Sequence, residues 1–333
     1  MTMLSTSPSL LATRPREISP WAVWAPLLCA IVLLALAPVL GMSGFVQSLA
    51  IEMMTFSILA LSLDILIGYT GLVSLGHAAF FAISGYAVAI ISVRWSTDLA
   101  ITFPLGVAVA VALALPVGWL SIRLSGFYFL MITFALAQMV YTAAFRWKWL
   151  TGGSDGILVP GPSLFGHPVL QTRAALYYFT LVVFVIACVL MYWVVRSQFG
   201  RALVGIRENT RRMRALGYNV RRYKLGAFVI AALFGGMAGV LNAQFNLFVA
   251  PESAHWSQSA LVLVMVLIGG SGYFLGPIVG TIIVLGLQHG LSSYTEYWGL
   301  VLGLLFIILI TAAREGVVGI GAGLWRWKRR AGT

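Results

Sequence analysis

Apolar runs long enough to cross a membrane recur through this sequence, and they limit its fold more than any other feature. A transmembrane helix needs about 20 predominantly apolar residues. Runs near that length occupy residues 21–40, 45–67, 75–93, 99–120, 127–145, 175–195, 225–247 and 298–313. Only 9% of the residues are charged, whereas soluble domains carry roughly a quarter. The chain is therefore predicted to be an integral membrane protein.

The apolar segment 258–290 is too long for one helix, because glycines interrupt its centre. It favours two shorter segments broken between Gly269 and Gly276, with Pro277 in the first turn of the second, where proline is tolerated. We predict an all-α, polytopic transmembrane helix bundle of 8–10 spans with broken or re-entrant helices. Either even number of crossings puts both termini on the same side.

A basic segment, residues 196–224, interrupts the apolar pattern and sets the orientation. It holds nine of the 21 Lys and Arg and one acid, Glu208, so it cannot lie in hydrocarbon. The positive-inside rule places it in the cytoplasm, and 17 of the 21 basic residues then lie inside. The resulting regions are a cytoplasmic tail 1–20, a membrane domain 21–313 with an external loop 146–173, and a basic cytoplasmic tail 314–333.

The sequence gives no indication of nucleic-acid binding, of a metal site or of a phosphate-binding loop. The net charge of +12 comes from residues between and beyond apolar runs rather than from one soluble face, which favours anionic lipid over nucleic acid as the partner. Cys29, Cys188 and the four histidines show no metal-ligand spacing. No glycine-rich segment is followed by Lys and Ser or Thr, as a phosphate-binding loop requires. We therefore expect no metal and no directly bound cofactor.

Two glycine-rich breaks are candidates for a translocation path. The first is GYTGLVSLGHAAFF, Gly68–Phe81, in which Ser74 is a potential cap of the following helix; the second is GGSGYFLGPIVG, Gly269–Gly280. Broken helices in transporters present helix ends to substrate, although tight interfacial turns give the same pattern. The two breaks allow a five-plus-five internal symmetry. The candidate path residues are Glu52, Ser74, Gly76, His77, Gly270 and Ser271.

Acids within the membrane are costly unless they face protein or water. Glu52 and Asp64 both lie in the second apolar run, and helical geometry places them about 120° apart. Glu52 is therefore a candidate for a cavity or gate. Asp64 lies closer to the helix end, where it is a candidate partner for a basic residue.

Two other functions fit parts of the pattern. An ion-driven secondary transporter would also have broken helices and membrane acids. Gly269-Gly270-Ser271-Gly272 matches the G-x-S-G of intramembrane serine proteases, with His289 as a potential base. The protease match is the weaker of the two, because four glycine-rich residues carry little information.

Six motifs in series resemble one family, the inner-membrane permease subunits of branched-chain amino acid ABC importers of the LivM type. The motifs are GYTGLVSLGHAAFF at 68–81, TGGSDGI at 151–157, GRALVGIREN at 200–209, RALGYNVRRYKLGAFV at 214–229, APES at 250–253 and GGSGYFLGPIVG at 269–280. They follow the family order across nearly the whole chain.

The resemblance implies a multi-pass permease of the bacterial inner membrane without an ATPase site of its own. Its partners would be a second, homologous permease, two cytoplasmic ATPases that hydrolyse ATP, and a periplasmic substrate-binding protein. Its cargo would be a branched-chain amino acid or a similar small polar solute. The segment 196–224 would couple the chain to an ATPase, with a first helix that Gly217 ends in the left-handed conformation and a turn over 218–220. The implied coupling residues are Arg201, Arg207, Glu208, Asn209, Arg214, Ala215, Leu216 and Gly217.

Overall fold

The computed structural model describes residues 20–292 except 37, 39, 40 and 42, together with 299–300, 303–304, 306–307 and 316–320. Helices dominate this part of the chain. They are α1 Pro20–Leu36, α2 Gly44–Asp64, α3 His77–Arg94, α4 Leu99–Ser121, α5 Phe127–Arg146, α6 Lys148–Thr151, α7 Arg173–Arg196, α8 Gln198–Glu208, α9 Thr210–Ala215, α10 Val220–Asn246, α11 Trp256–Gly269 and α12 Gly276–Ser292. A π-helix, Ile65–Thr70, continues α2, and short 3-10 turns lie at Gly153–Asp155, Pro168–Gln171 and Pro251–Ala254.

Six of these helices are long and apolar enough to cross a membrane: α2 with its π-helix, α3, α4, α5, α7 and α10. Three shorter apolar helices are Leu27–Leu36, α11 and α12. The predicted all-α, polytopic bundle is confirmed. The last predicted span, 298–313, lies mostly outside the described residues, as do the predicted tails 1–20 (apart from Pro20) and 314–333 (apart from 316–320).

The centre of the bundle is formed by α2, α3 and α10. In its most apolar stretch α2 is 83% buried, whereas α4 and α5 are each 22% buried. Small residues allow the central helices to approach closely, which is how helices associate in lipid. A β-carbon at Gly239 of α10 would collide with the Phe81 carbonyl and the Ser84 hydroxyl of α3. The outer helices instead expose large side chains such as Met139 and Trp193, as expected for a lipid-facing surface.

The segment 258–290 forms two separate helices, as its glycines predict. α11 has 14 residues and α12 has 17, which gives lengths of about 21 and 25 Å, below the roughly 30 Å hydrocarbon core. Pro277 is the second residue of α12. The first residue of α11, Trp256, packs on Phe134 of α5 with ring centroids 6.0 Å apart. This contact shows that α11 begins partway along α5.

The segment 146–173 contains more structure than the plain loop that its composition predicts. Besides α6 and two 3-10 turns, it holds a strand β1, Ile157–Leu158, which pairs antiparallel with β2, Phe248–Val249. Thr151 is buried and donates to the Ala144 carbonyl at 2.6 Å. The pairing with a distant strand and the local Thr151 bond together fix a segment that glycine and proline alone would leave irregular.

The bundle has two distinct ends. We call the end that carries 196–224 the basic face and the end that carries 146–173 the loop face. The π-helix, the start of α10 and the turn between α11 and α12 lie at the basic face. At the loop face, the Arg94 guanidinium donates to the Trp149 carbonyl, which joins the end of α3 to the segment after α5.

Within 196–224, the single helix expected up to Gly217 is wrong, because the structure has two. Asn209 adopts an extended conformation after α8, and its side chain accepts a hydrogen bond from the Arg212 amide at 2.9 Å. Side-chain capping of this kind begins a new helix. Gly217, with φ +86°, then follows α9 in the left-handed conformation, and α10 begins at Val220.

Candidate functional site

The surface of α8 and α9 is the first candidate site. Ala202, Leu203 and Ile206 form the buried side of α8, while α9 has no buried residue. Seven of the eight predicted coupling residues are exposed: Arg201, Glu208, Asn209, Arg214, Ala215, Leu216 and Gly217. One side of this pair of helices therefore rests on the bundle, and the other is open to a partner. That these residues contact an ATPase stays a prediction.

Arg207, the eighth predicted coupling residue, points into the bundle. Its Nη1 donates a hydrogen bond to the backbone carbonyl of Gly68 in the π-helix. A β-carbon added at Gly71 would lie 3.2 Å from Cγ of Arg207, so the aliphatic part of the arginine packs on the end of the same element. The last carbonyls of a helix lack partners within the helix, and a cation there also meets the negative end of the helix dipole.

The two predicted breaks meet at this arginine. Asp64, the last residue of α2, is buried, and its Oδ1 accepts a hydrogen bond from the Gly272 amide at 2.9 Å. A β-carbon at Gly68 would collide with this carboxylate and with the Gly272 amide. Asp64 was predicted to meet a basic residue; its hydrogen bond goes to the Gly272 amide instead, and Arg207 donates to the Gly68 carbonyl beside it. Four residues from three distant segments thus form one polar cluster.

The break at 68–81 is confirmed, but its predicted cap is wrong. The π-helix ends at Gly71, which has φ +71°, and α3 begins at His77. The Ser74 hydroxyl accepts from the Gly76 amide at 3.2 Å, before the helix starts. The amide of Ala78, in the first turn of α3, instead donates to the Ser259 hydroxyl of α11 at 2.8 Å. The cap comes from another helix because α11 crosses directly beside the start of α3.

The predicted path residues of the two breaks are mostly enclosed. Ser74, Gly76, His77 and Gly270 are buried, and Ser271 is half-buried. Gly76 lies against Thr133 of α5, and the His77 ring packs edge-on against Phe80 with centroids 6.0 Å apart. Neither ring nitrogen of His77 has a hydrogen-bond partner in the described part of the chain. Their assignment to a translocation path stays a prediction.

Glu52 has a partner that the sequence pattern did not indicate. Its Oε2 lies 2.9 Å from Nε2 of His289 on α12, with side-chain exposures of 28% and 32%. Glu52 stands eight residues into α2, about 12 Å from the helix start, within the depth of the hydrocarbon core. A partly exposed polar pair at that depth needs protein or water beside it rather than lipid.

The position of His289 also excludes it as a base for Ser271. Ser271 precedes α12, and His289 is the fourteenth residue of that helix, so the helix alone separates them by about 20 Å. Nucleophile and base must lie within hydrogen-bond reach. The protease interpretation therefore has no geometric basis.

A multi-pass helix bundle with two glycine breaks and an exposed pair of helices at one end is typical of a membrane transport subunit. Comparison with known families makes this specific. Residues 45–310 match the family described as branched-chain amino acid transport system / permease component. The chain belongs to this family.

Two relatives carry the same family description in more detail. The high-affinity branched-chain amino acid transport system permease protein LivM of Escherichia coli K12 is 29% identical over 314 aligned residues. Its counterpart in Salmonella typhimurium LT2 is 30% identical over 315. Each alignment covers 87% of this chain and 74% of the relative. No solved structure matches the chain. Nothing in these comparisons favours a secondary transporter or a protease.

Proposed function

We propose that this chain is a permease subunit of an ATP-binding cassette importer that carries branched-chain amino acids or a similar small polar solute across the bacterial inner membrane. The observation that carries the proposal is the exposed surface of α8 and α9, at the basic face of a chain from this permease family. That surface suits a cytoplasmic ATPase. The chain itself would bind no cofactor, and ATP would be hydrolysed by two partner ATPases.

A second permease subunit is the partner that best accounts for the partly exposed pair of Glu52 and His289. Glu52 and His289 remain partly exposed on this chain, and an exposed polar pair in lipid is unfavourable. A homologous subunit packed against this surface would enclose the pair at the boundary where solute crosses. Ser74, Gly76, His77, Gly270 and Ser271 would act behind this boundary, in breaks whose movement opens or closes it. A periplasmic binding protein would deliver the solute at the loop face.

Reconstitution tests the energy source directly. The chain, co-purified with its partner permease and ATPases, is placed in proteoliposomes with the binding protein and radiolabelled leucine. We expect uptake that requires ATP and stops when the ATPase subunits are omitted. Uptake driven by a sodium or proton gradient without ATP would instead identify a secondary transporter.

Cysteine labelling tests the orientation. Ser154 is exposed at the loop face and Arg211 at the basic face; each is changed to Cys in a chain whose own Cys29 and Cys188 are replaced by Ser. In intact spheroplasts an impermeant maleimide should label S154C, and it should reach R211C only after permeabilisation. The reverse pattern would place the basic face outside and refute ATPase docking there.

A further inference from the structure

The exposed coupling surface must communicate with the membrane helices, and Arg207 offers a polar connection for this. α8 ends beside the π-helix, and Arg207 is the coupling residue that reaches inward rather than outward. The other seven face away from the bundle. A movement of α8 therefore acts on the bundle through its buried apolar side and through this guanidinium.

We propose that Arg207, Gly68, Asp64 and Gly272 form a coupling latch, through which ATPase closure moves both helix breaks together. The proposal rests on the proposed function and assigns a positioning role to Arg207. Arg207 holds the Gly68 carbonyl, and Asp64 holds the Gly272 amide. Because Gly68 packs directly on Gly272, a pull on Gly68 displaces the turn between α11 and α12 as well.

The backbone at the latch is suited to movement. The π-helix turn is wider than an α-turn, and such segments often occur at functional sites. Gly71 and Gly272 have φ values of +71° and +80°, so the chain on each side of the contact turns sharply through residues that lack side chains. A β-carbon at Gly272 would lie 3.2 Å from the Gly68 carbonyl oxygen and 3.3 Å from Nη1 of Arg207. The contact therefore depends on glycine at this position.

Hydrogen bonds keep the latch assembled. Buried polar groups need hydrogen-bond partners: Asp64 accepts the Gly272 amide, and the Arg207 guanidinium donates to the Gly68 carbonyl. The guanidinium forms a rigid, planar set of donors. A lysine can supply the charge and one donor, but not that geometry.

The test compares three latch variants and two controls in the reconstituted complex. Arg207→Gln removes the charge, Arg207→Lys keeps it, and Gly272→Ala crowds the contact. Gly41→Ala is the matched control for the glycine, because its φ of +81° imposes similar backbone strain and, its chain neighbours apart, no described residue has an atom within 4 Å of its β-carbon position. Arg123→Gln is a second control, because Arg123 stacks over Trp119 and lies outside the latch.

The first measurement is the number of leucine molecules taken up per ATP hydrolysed. Arg207→Gln should still bind the ATPases and hydrolyse ATP, while uptake per ATP falls about tenfold or more, within the usual range of coupling between sites. Gly272→Ala should act in the same direction, Arg207→Lys should be intermediate, and both controls should keep the wild-type ratio. An unchanged ratio in Arg207→Gln, or loss of its ATPases, would overturn the latch. Absence of ATP-dependent uptake in the wild type would instead refute the proposed function.

The second measurement does not depend on the solute. Val73, which follows the π-helix and is 37% exposed, is changed to Cys in the Cys29→Ser background. Trapping the ATPases closed with vanadate should change maleimide labelling of this cysteine in the wild-type complex but not with Arg207→Gln. An equal change in both would show that the signal reaches the break without Arg207. Gly272→Ala and Arg207→Lys provide the same comparison if the Arg207→Gln chain fails to fold and insert.

Discussion

Removing the Ser259 hydroxyl should destabilise the start of α3. Ser259 is fully buried, and its Oγ accepts the Ala78 amide at 2.8 Å. Ser259→Ala leaves that amide without a partner among helices that exclude water, at a cost of about 1–3 kcal/mol. Loss of a helix cap costs a similar 0.5–2 kcal/mol or so, whereas hydrogen bonds between membrane helices average only about 0.6 kcal/mol. We expect about 1.5 kcal/mol, because the lost partner caps a backbone amide.

Unfolding in mixed micelles with increasing SDS measures this difference. Ser257→Ala is the control, because Ser257 lies two residues earlier on α11, is exposed, and bonds only locally to His255. Ser259→Thr keeps a hydroxyl and should recover part of the loss. A difference of less than about 0.5 kcal/mol between Ser259→Ala and Ser257→Ala, the usual scatter of neutral surface changes, would refute the capping role.

Three further changes test other parts of the structure. Glu208→Arg reverses the charge of an exposed residue that we predict to contact an ATPase. It should prevent co-purification of the ATPases while membrane insertion stays normal; co-purification at the wild-type level would contradict docking on α8. Gly239→Ala should lower the SDS concentration at which half of the protein unfolds, because the added β-carbon meets the Phe81 carbonyl and overpacking costs about 1–3 kcal/mol. Gly286→Ala is the control: its β-carbon gains an ordinary 3.8 Å contact, so the midpoint should not change. Glu52→Gln keeps a hydrogen bond to the imidazole of His289 but removes the charge. The bundle should therefore stay folded, while leucine uptake should fall by about tenfold, in the lower range of coupling effects. Unchanged uptake would show that Glu52 is not part of the translocation path.

The apolar runs of the sequence, and the glycines and prolines that end them, predict most of the fold. Long apolar runs require helices in lipid because every backbone polar group must be satisfied within its own segment. Glycine and proline then mark where a helix ends, which is why the division into α11 and α12 and the position of Pro277 follow directly from the sequence. The same local reasoning anticipates that Gly217 takes the left-handed conformation.

The candidate site was less predictable, because its contacts join segments that are far apart in the chain. Arg207 reaches a carbonyl 139 positions away, and Asp64 bonds an amide 208 positions away. Within 196–224, Arg207 is one of nine cations, and its charge alone does not distinguish it from Arg201 or Arg214, which are exposed. The helical period of α8 does place Arg207 four residues after the buried Leu203, on the same face. Its contact with Gly68, however, depends on a helix end that comes from a distant part of the chain.

The two polar contacts of α2 explain how a movement at the basic face can reach the middle of the membrane. Asp64 ties the end of α2 to the turn before α12, and Glu52 ties the same helix to His289 near the end of α12, both at 2.9 Å. Breaking the buried Asp64 contact would leave a polar group unpaired where no water reaches it. Because the second contact holds the same two helices near the other end of α12, we expect α2 and α12 to move as one body. Twelve helical residues separate the two acids, a distance of about 18 Å. A displacement that Arg207 imposes on the π-helix would therefore shift the Glu52 and His289 pair directly, through a rigid pair of helices, without a series of side-chain rearrangements.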